Sequence, residues 1–349
     1  MNEFHPLIIL DKKQETPNAV SIAFEVPDTL RDKFQFKAGQ YLTIRYPFNG
    51  GEIRRSYSLC SSEFSGEWRI GIKRMENGVF SAIANDTLRV GEVLEVMPPQ
   101  GLFILNTDSN HEKNYFAFAA GSGITPIMSM IKSVLEKEPK STFTLAYGNR
   151  NITETMFYEE LEVLKQTYPK RLQITYFFSQ QNVEGCRFGR IDRSMVNFLL
   201  KNQYKGILFH YFYLCGPNDM IDEIKKTLLD FGVDEKVIHF ELFHSPEATS
   251  EAPIIPGQTL VTLTLDEETL QFSMMREKSI LDAALDQGLD APYSCKGGIC
   301  STCIARLKEG KVAMKKNMVL TDSELAENLI LTCQSHPTTD VVIVDYDDV

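Results

Sequence analysis

Cys295-Lys-Gly-Gly-Ile-Cys300-Ser-Thr-Cys303, together with the distant Cys333, is the stretch that decides the fold of the C-terminal part of this 349-residue chain. Four residues separate the first two cysteines, two separate the next pair, and 29 precede Cys333. This spacing is typical of a plant-type [2Fe–2S] cluster, in which thiolates bind both irons. Iron prefers soft thiolates, and paired glycines let the loop approach with its N–H groups aimed at the sulfides. The spacing therefore predicts that these four cysteines are cluster ligands.

A structural zinc ion is the alternative for the same four cysteines. Zinc sites usually present two C-x2–4-C knuckles, whereas here three cysteines form one run and the fourth stands alone. The chain has seven cysteines, and an odd number is a poor disulfide framework. The spacing favours the iron–sulfur cluster over zinc.

Residues 257–349 resemble plant-type ferredoxins in length, in element order and in the Leu-Thr-Cys-Gln phrase around Cys333. The residue pattern predicts a hairpin of two strands, 259–265 and 269–274, followed by a helix at 279–287. A second helix is predicted to begin at Thr321, and a last strand covers 341–345. Asn328 is expected to close the second helix in the left-handed conformation, where many relatives have glycine. The resemblance implies a β-grasp fold.

The 349-residue chain is too long for one ordinary core, and the residue pattern before the C-terminal domain changes character once. Residues 1–105 contain short alternating strands, typical of a small antiparallel barrel, at 20–24, 41–46, 68–73 and 93–97. Residues 114–244 alternate apolar strands with helices, which predicts a doubly wound parallel sheet. The Pro-, Ser- and acid-rich stretch 245–256 is a predicted linker. We expect domains at 1–108, 109–244 and 257–349.

Arg55-Ser-Tyr57-Ser58 ends a predicted barrel strand. A flavin needs a cation for its phosphates, a flat partner for its ring and a hydrogen bond near N5, and these three residue types supply them in that order. Gly78-Val-Phe-Ser81 would open a helix whose N-terminal amides hold a pyrophosphate. Taken singly, each motif is also typical of an ordinary strand or turn.

The predicted strand 115–120 runs into Gly121-Ser-Gly123-Ile-Thr125-Pro126 and then a helix. This is the setting in which a helix N-terminus receives a pyrophosphate, although a plain tight turn has the same letters. Cys215-Gly216-Pro217 ends a later strand in the same way. Arg150, after the strand 142–147, would pair with an adenosine 2′-phosphate and so favours NADPH over NADH, with a solvated loop arginine as the alternative.

These motifs, in this order, resemble those of the ferredoxin–NADP reductase superfamily. Ala38-Gly-Gln-Tyr41 and Pro98-Pro-Gln-Gly101-Leu-Phe103 are also similar, the second to members that use FAD. The resemblance implies an FAD-binding domain at 1–108 and an NAD(P)-binding domain at 109–244. It also implies catalytic roles for Ser58 and Cys215, and an acid and an aromatic near the flavin in Glu241-Leu-Phe243. A buried thiol and a core phenylalanine are the alternatives for Cys215 and Phe243.

The predicted cofactors together indicate an electron-transfer enzyme. NAD(P)H delivers a pair of electrons, whereas a [2Fe–2S] cluster, with a reduction potential of about −400 mV, accepts one at a time. FAD can accept the pair and release the electrons singly. The resemblance implies that a partner oxygenase receives the electrons, with the di-iron class favoured over the Rieske class. The 15 acidic and 8 basic residues of 257–349 favour docking on a basic partner surface. A redox sensor that binds both groups without turnover is the alternative from another class.

The composition narrows the other classes of function. A net charge of −11 disfavours nucleic acid and anionic membranes as partners. The first residues lack a secretory pattern, and the most apolar later stretch, 206–215, is half the roughly 20 residues of a membrane helix. We expect a cytoplasmic protein.

Overall fold

The computed structural model describes residues 3–243 and 257–349. The predicted linker 245–256 lies outside the described residues. Two compact units are present, one formed largely by residues 257–349 and the other by most of residues 4–243. None of the helices in the described ranges has the length and hydropathy needed to cross a bilayer.

The first sheet of the larger unit is an antiparallel barrel. Its six strands and one helix are β1 His5–Thr16, β2 Ala19–Glu25, β3 Tyr41–Phe48, β4 Gly51–Ser58, β5 Trp68–Lys73, β6 Val93–Gln100 and α1 Val79–Asp86. The strand order is β4-β3-β6-β1-β2-β5, and a bridge from Leu59 to Ile70 joins the chain after β4 to β5. Alternate residues such as Leu7 and Ile9 point into the core, as the period of two requires.

The second sheet of the larger unit is parallel and doubly wound. Its strands are β7 Asn114–Ala120, β8 Thr142–Asn149, β9 Leu172–Phe178, β10 Arg187–Phe188, β11 Tyr211–Gly216 and β12 Ile238–Leu242. Its helices are α2 Ile124–Lys137, α3 Tyr158–Thr167, α4 Arg193–Phe198 and α5 Asn218–Asp230. The order β10-β9-β8-β7-β11-β12 reverses direction at β7, so a ligand site is expected at the carboxyl ends of β7 and β11.

The smaller unit has a mixed sheet of the β-grasp type. Its elements are β13 Gln258–Leu265, β14 Glu268–Met275, α6 Ile280–Asp286, β15 Ile304–Glu309, β16 Val312–Met314, α7 Asp322–Ala326, β17 Leu329–Leu331, β18 Ser335–Pro337 and β19 Val341–Asp345. In the order β14-β13-β19-β15-β17, the central pair β13 and β19 is parallel. The predicted capping box at Thr321 and the left-handed Asn328, with φ of 62°, are both confirmed.

The fold class predicted from the sequence is confirmed, and the differences are local. Helix α2 begins at Ile124, within the predicted glycine motif, because Gly121–Gly123 already forms a 3-10 turn that leads directly into it. The short elements β10 and α4 were not predicted, since two to six residues carry little periodicity. Strand β1 was also missed, because its second half, from Asp11 onward, is largely polar.

Candidate active site and cluster site

The two glycine turns predicted to bind nicotinamide lie against each other. Strands β7 and β11 are neighbours, with Cys215 opposite Ala119. A Cβ atom on Gly123 would lie 2.1 Å from the carbonyl oxygen of Cys215, so only glycine fits there. The structure therefore brings two sets of predicted residues together at the switch point, namely Gly121, Gly123, Thr125 and Pro126, and Cys215, Gly216 and Pro217. The first turns of α2 and α5 both start here, which suits an anionic pyrophosphate.

Three side chains from three strands meet beside these turns. Ser58, buried at the end of β4, donates a hydrogen bond from Oγ to Oε2 of Glu241 at 3.4 Å. Glu241 in β12 is opposite Cys215 in β11. Poor solvation raises the pKa of Glu241 to about 8, although the Ser58 hydrogen bond opposes this change. Burial, and then the charge of Glu241, raise the pKa of the Cys215 thiol well above its usual value.

The arrangement keeps all three groups uncharged at neutral pH. A hydroxyl, a protonated carboxyl and a neutral thiol then lie close together, so a neutral ring system that approaches them meets no uncompensated charge. Sequence reasoning placed Glu241 near the flavin through the Glu-Leu-Phe phrase but missed its contact with Ser58, because 183 residues separate the two.

Tyr57 of the first flavin motif packs beside α1, the helix that the second motif begins. The half-buried ring of Tyr57 lies 5.8 Å from that of Phe80 in α1. Ser81 accepts a hydrogen bond from the backbone N–H of Met75 at 3.1 Å and donates to the Gly78 carbonyl at 3.2 Å. Ser81 thus closes the turn that begins α1. The first backbone N–H groups of α1 have no partner within the helix and can donate to a bound anion.

Arg55 and Phe243 have less specific surroundings than the other predicted residues. The exposed Arg55 donates from Nη1 to the carbonyl oxygen of the preceding residue at 2.7 Å. Phe243 is half-buried and packs against the core cluster that contains Cys215. Their roles toward a flavin stay predictions.

Lys73 is a candidate site residue that the sequence did not indicate. Its Nζ lies 3.9 Å from where a Cβ on Gly121 would be, and burial lowers its pKa, with Glu154 opposing and Arg150 adding to the effect. Arg150 is exposed, and its Nη1 lies 4.0 Å from Oε2 of Glu154. A lysine that ends the otherwise apolar stretch Ile70–Ile72 was the available signal.

The four predicted cluster ligands lie in two adjacent pairs within the smaller unit. The Sγ atoms of Cys295 and Cys300 are 3.1 Å apart, and the side chains of Cys303 and Cys333 share a hydrogen bond. Thr332 holds the distant cysteine in place, because its N–H and Oγ1 both donate to the Cys303 carbonyl at 3.1 and 2.9 Å. Within residues 3–243 and 257–349, no group of three or more His, Cys, Asp or Glu side chains is placed so that it could hold one metal ion.

Hydrogen bonds from a partner thiol and from the loop backbone stabilise negative charge on two of the four sulfur atoms. The pKa values of Cys300 and Cys303 are raised instead, because each shares a hydrogen bond with the partner that carries the charge and is buried. The hydrogen bond from Cys300, followed by the amides of Gly297, Ile299 and Cys300, lowers the pKa of Cys295 to about 6 against the effect of burial. Cys303, and then the amide of Gly298, lower the pKa of Cys333. Such amides suit thiolate ligands and sulfide ions, so the residues fit an anionic iron–sulfur cluster.

Gly298 allows this loop shape. Its φ is +70°, and a Cβ there would lie 2.8 Å from the carbonyl oxygen of Lys316. Either fact alone disfavours any other residue. The sequence predicted a close approach at both glycines of the loop, and the structure confirms it at Gly298.

Three family models match the chain in the predicted order. They are described as oxidoreductase FAD-binding domain for residues 6–104, oxidoreductase NAD-binding domain for residues 118–226, and 2Fe-2S iron-sulfur cluster binding domain for residues 263–338. The predicted cofactors FAD, NAD(P)H and [2Fe–2S] are thereby confirmed, and the zinc alternative is not supported.

Known proteins are similar over the whole chain. One component of the 1,2-phenylacetyl-CoA epoxidase of Escherichia coli (strain K12) is 40% identical over 99% of both chains. The ferredoxin reductase component of the Rhodococcus rhodochrous 3-ketosteroid-9-alpha-monooxygenase is 33% identical over 95% of this chain and 94% of its own. The structure of phthalate dioxygenase reductase matches 98% of each chain with a TM-score of 0.60 and 26% identity.

The chain therefore belongs to the family of FAD- and [2Fe–2S]-dependent reductase components of oxygenase systems. It is an oxidoreductase that passes electrons from NAD(P)H through FAD and the cluster to an oxygenase. The alternative of a sensor without turnover is not supported by these relatives.

The pKa of Glu241 predicts how stability depends on pH. Because this pKa, about 8, lies above the ordinary glutamate value of 4.5, the folded chain retains a proton that the unfolded chain releases. The free energy of unfolding should therefore fall as the pH rises between these two pKa values. Glu241→Gln removes the group that titrates, so the stability of the variant should not show this decrease. The melting temperature of the variant, relative to that of the wild type, should therefore be higher at about pH 8.5 than at about pH 5.5. Glu25→Gln, at an exposed glutamate, is the matched control. If the melting temperatures of Glu241→Gln and the wild type differ by the same amount at both pH values, the raised pKa of Glu241 is contradicted.

Replacing any of Cys295, Cys300, Cys303 or Cys333 with serine should remove most of the iron and acid-labile sulfide, about tenfold or more, because a hard hydroxyl replaces a thiolate ligand. Bound flavin should be retained. Metal and sulfide analysis with visible circular dichroism measures the change. Cys186→Ser is the control, since Cys186 lies outside the loop. Full iron and sulfide content in one of the four variants would show that its cysteine is not a ligand.

Proposed function

We propose that this chain is the reductase of a phenylacetyl-CoA epoxidase complex, delivering electrons from NADPH to a di-iron oxygenase in the cytoplasm. The observation that carries this proposal is the 40% identity to the Escherichia coli epoxidase component over 99% of both chains. The second relative, from a 3-ketosteroid monooxygenase, has 33% identity. The di-iron class is the partner that the resemblance in the sequence favours, with a Rieske-type oxygenase as the competing partner.

The proposed domain boundaries are 1–108 for FAD, 109–244 for NAD(P)H and 257–349 for the cluster, joined by the linker 245–256. The matched ranges 6–104, 118–226 and 263–338 fall inside the three domains. When bound, FAD would supply the exchange between a hydride and single electrons.

In the flavin site, Arg55 would bind a phosphate, Tyr57 would stack on the ring, and the turn Gly78–Ser81 would present the α1 amides to the pyrophosphate. The hydroxyl of Ser58 is held by Glu241 through a long hydrogen bond of 3.4 Å, which is weak enough for Ser58 to donate to an arriving acceptor instead. Ser58 would thus orient the ring.

In the nicotinamide site, the turns Gly121–Pro126 and Cys215–Pro217 would hold the dinucleotide. The buried, neutral thiol of Cys215 would line the space beside the reactive carbon and exclude water. The protonated Glu241 would keep negative charge away from the incoming hydride. Phe243 would cover the flavin from the end of this domain.

The cluster site would work through its amides and its surroundings. The N–H groups of Gly297 and Gly298 would offset the negative charge of the thiolates and sulfides. The excess of acidic residues in 257–349, 15 against 8 basic, favours a basic docking surface on the oxygenase.

The choice of oxygenase predicts a direct comparison. With NADPH, the purified chain should support substrate epoxidation by the oxygenase components of phenylacetyl-CoA epoxidase. It should be about tenfold or more less efficient, as kcat/KM for the oxygenase, with a Rieske-type 3-ketosteroid monooxygenase, because docking needs a complementary surface. The similar component of the Escherichia coli epoxidase is the positive control. The reverse preference would contradict the proposed partner and leave the reductase chemistry intact.

Arg150 predicts the coenzyme preference. A guanidinium near a 2′-phosphate forms strong charge-assisted hydrogen bonds, so Arg150→Ala should lower kcat/KM for NADPH about tenfold and that for NADH about twofold or less. Arg193→Ala is the matched control, since Arg193 already pairs with Asp230 at 2.8 Å. An equal loss with both coenzymes would show that Arg150 does not contact the 2′-phosphate.

A further inference from the structure

Strand β5 of the barrel meets the first turn of α2 at a residue without a side chain. Ile70 and Ile72 point into the barrel core, so Gly71 faces outward by the alternation of the strand. A Cβ on Gly71 would lie 2.5 Å from Cγ2 of Thr125. Carbon atoms in ordinary contact are about 3.5–4.0 Å apart, so about 1 Å of space is missing for even a methyl group.

The groups facing Gly71 have little freedom to move away. Thr125 is buried, and its Oγ1 donates to the Ser122 carbonyl at 3.0 Å within the glycine turn. Phe157, whose Cζ would be 3.3 Å from the added atom, is buried and has a φ of 57°, a conformation rare for its type. Met156, at 3.1 Å, is the one flexible neighbour among these three contacts.

The same face of β5 touches the glycine turn a second time. Lys73 is two residues beyond Gly71 on the strand, and its Nζ reaches toward Gly121. The barrel strand thus contacts α2 and the turn that precedes it at two successive outward positions. This contact therefore bears on how far the nicotinamide turns stand from the end of β4, where Ser58 lies.

We propose that Gly71 is a positioning residue for hydride transfer, because its missing side chain sets the separation between the nicotinamide turns and the flavin site. This inference rests on the proposed function. Hydride donor and acceptor must approach to about 3–3.5 Å, and a displacement of about 1 Å can slow the reaction about a hundredfold. The φ of Gly71 is outside the left-handed region, so an alanine adds bulk without backbone strain.

The test compares Gly71→Ala in the holoenzyme with the wild type by anaerobic stopped flow. We expect flavin reduction by NADPH to slow about tenfold or more. The dissociation constant for NADP⁺, read from the flavin difference spectrum, should change about threefold or less, since α2 moves together with its own turn. Gly51→Ala, where the nearest atom is 3.8 Å away, is the control with the same chemical change and should match the wild type.

A compensating change separates positioning from general damage. Thr125→Ser keeps the hydroxyl that bonds Ser122 and removes the methyl that collides, so the effect of Gly71→Ala should shrink to about twofold in this background. This comparison also applies if Gly71→Ala alone does not retain flavin. A tenfold loss in both backgrounds, or no loss in either, would overturn the inference. A wild-type chain that NADPH does not reduce would instead refute the proposed function.

Discussion

The contact between the turns that end β7 and β11 is the constraint on which the larger unit depends. Gly123 and the carbonyl of Cys215 approach so closely that a Cβ would lie at 2.1 Å. This approach requires two adjacent parallel strands of equal reach and a glycine at one position. It places the N-termini of α2 and α5 side by side, while the separate pairing of β11 with β12 sets Cys215 opposite Glu241. The nicotinamide turns and the neutral group beside them therefore meet at the carboxyl end of β11.

The two redox sites treat charge in opposite ways. Around Ser58, Glu241 and Cys215, poor solvation keeps an acid and a thiol protonated, which suits a reaction in which hydride approaches a neutral ring. Around the four ligand cysteines, the hydrogen bond from a partner thiol and then backbone amides lower the pKa of Cys295 and Cys333, which suits an anionic cluster. One chain thus contains a buried site that disfavours charged groups and a loop that stabilises negative charge.

The sequence predicted most of the fold and the identity of the motifs. Strands such as 341–345 and the capping box at Thr321 depend on local periodicity and capping, and they were predicted where they are found. The contacts Ser58–Glu241 and Gly71–Thr125 could not be predicted, because each joins residues far apart in the chain through the packing of a barrel on a parallel sheet. Lys73 was missed for the same reason. Long-range packing positions the site, whereas local pattern names its parts.

Sharing of electrons from NAD(P)H between FAD and a [2Fe–2S] cluster is tested most directly by an anaerobic titration of the purified chain, followed by absorbance and low-temperature electron paramagnetic resonance. We predict that about three electrons enter each chain, two at FAD and one at the cluster, with the signal of a reduced cluster appearing. Uptake of about two electrons with no cluster signal, in protein that contains full iron and sulfide, would contradict this electron path.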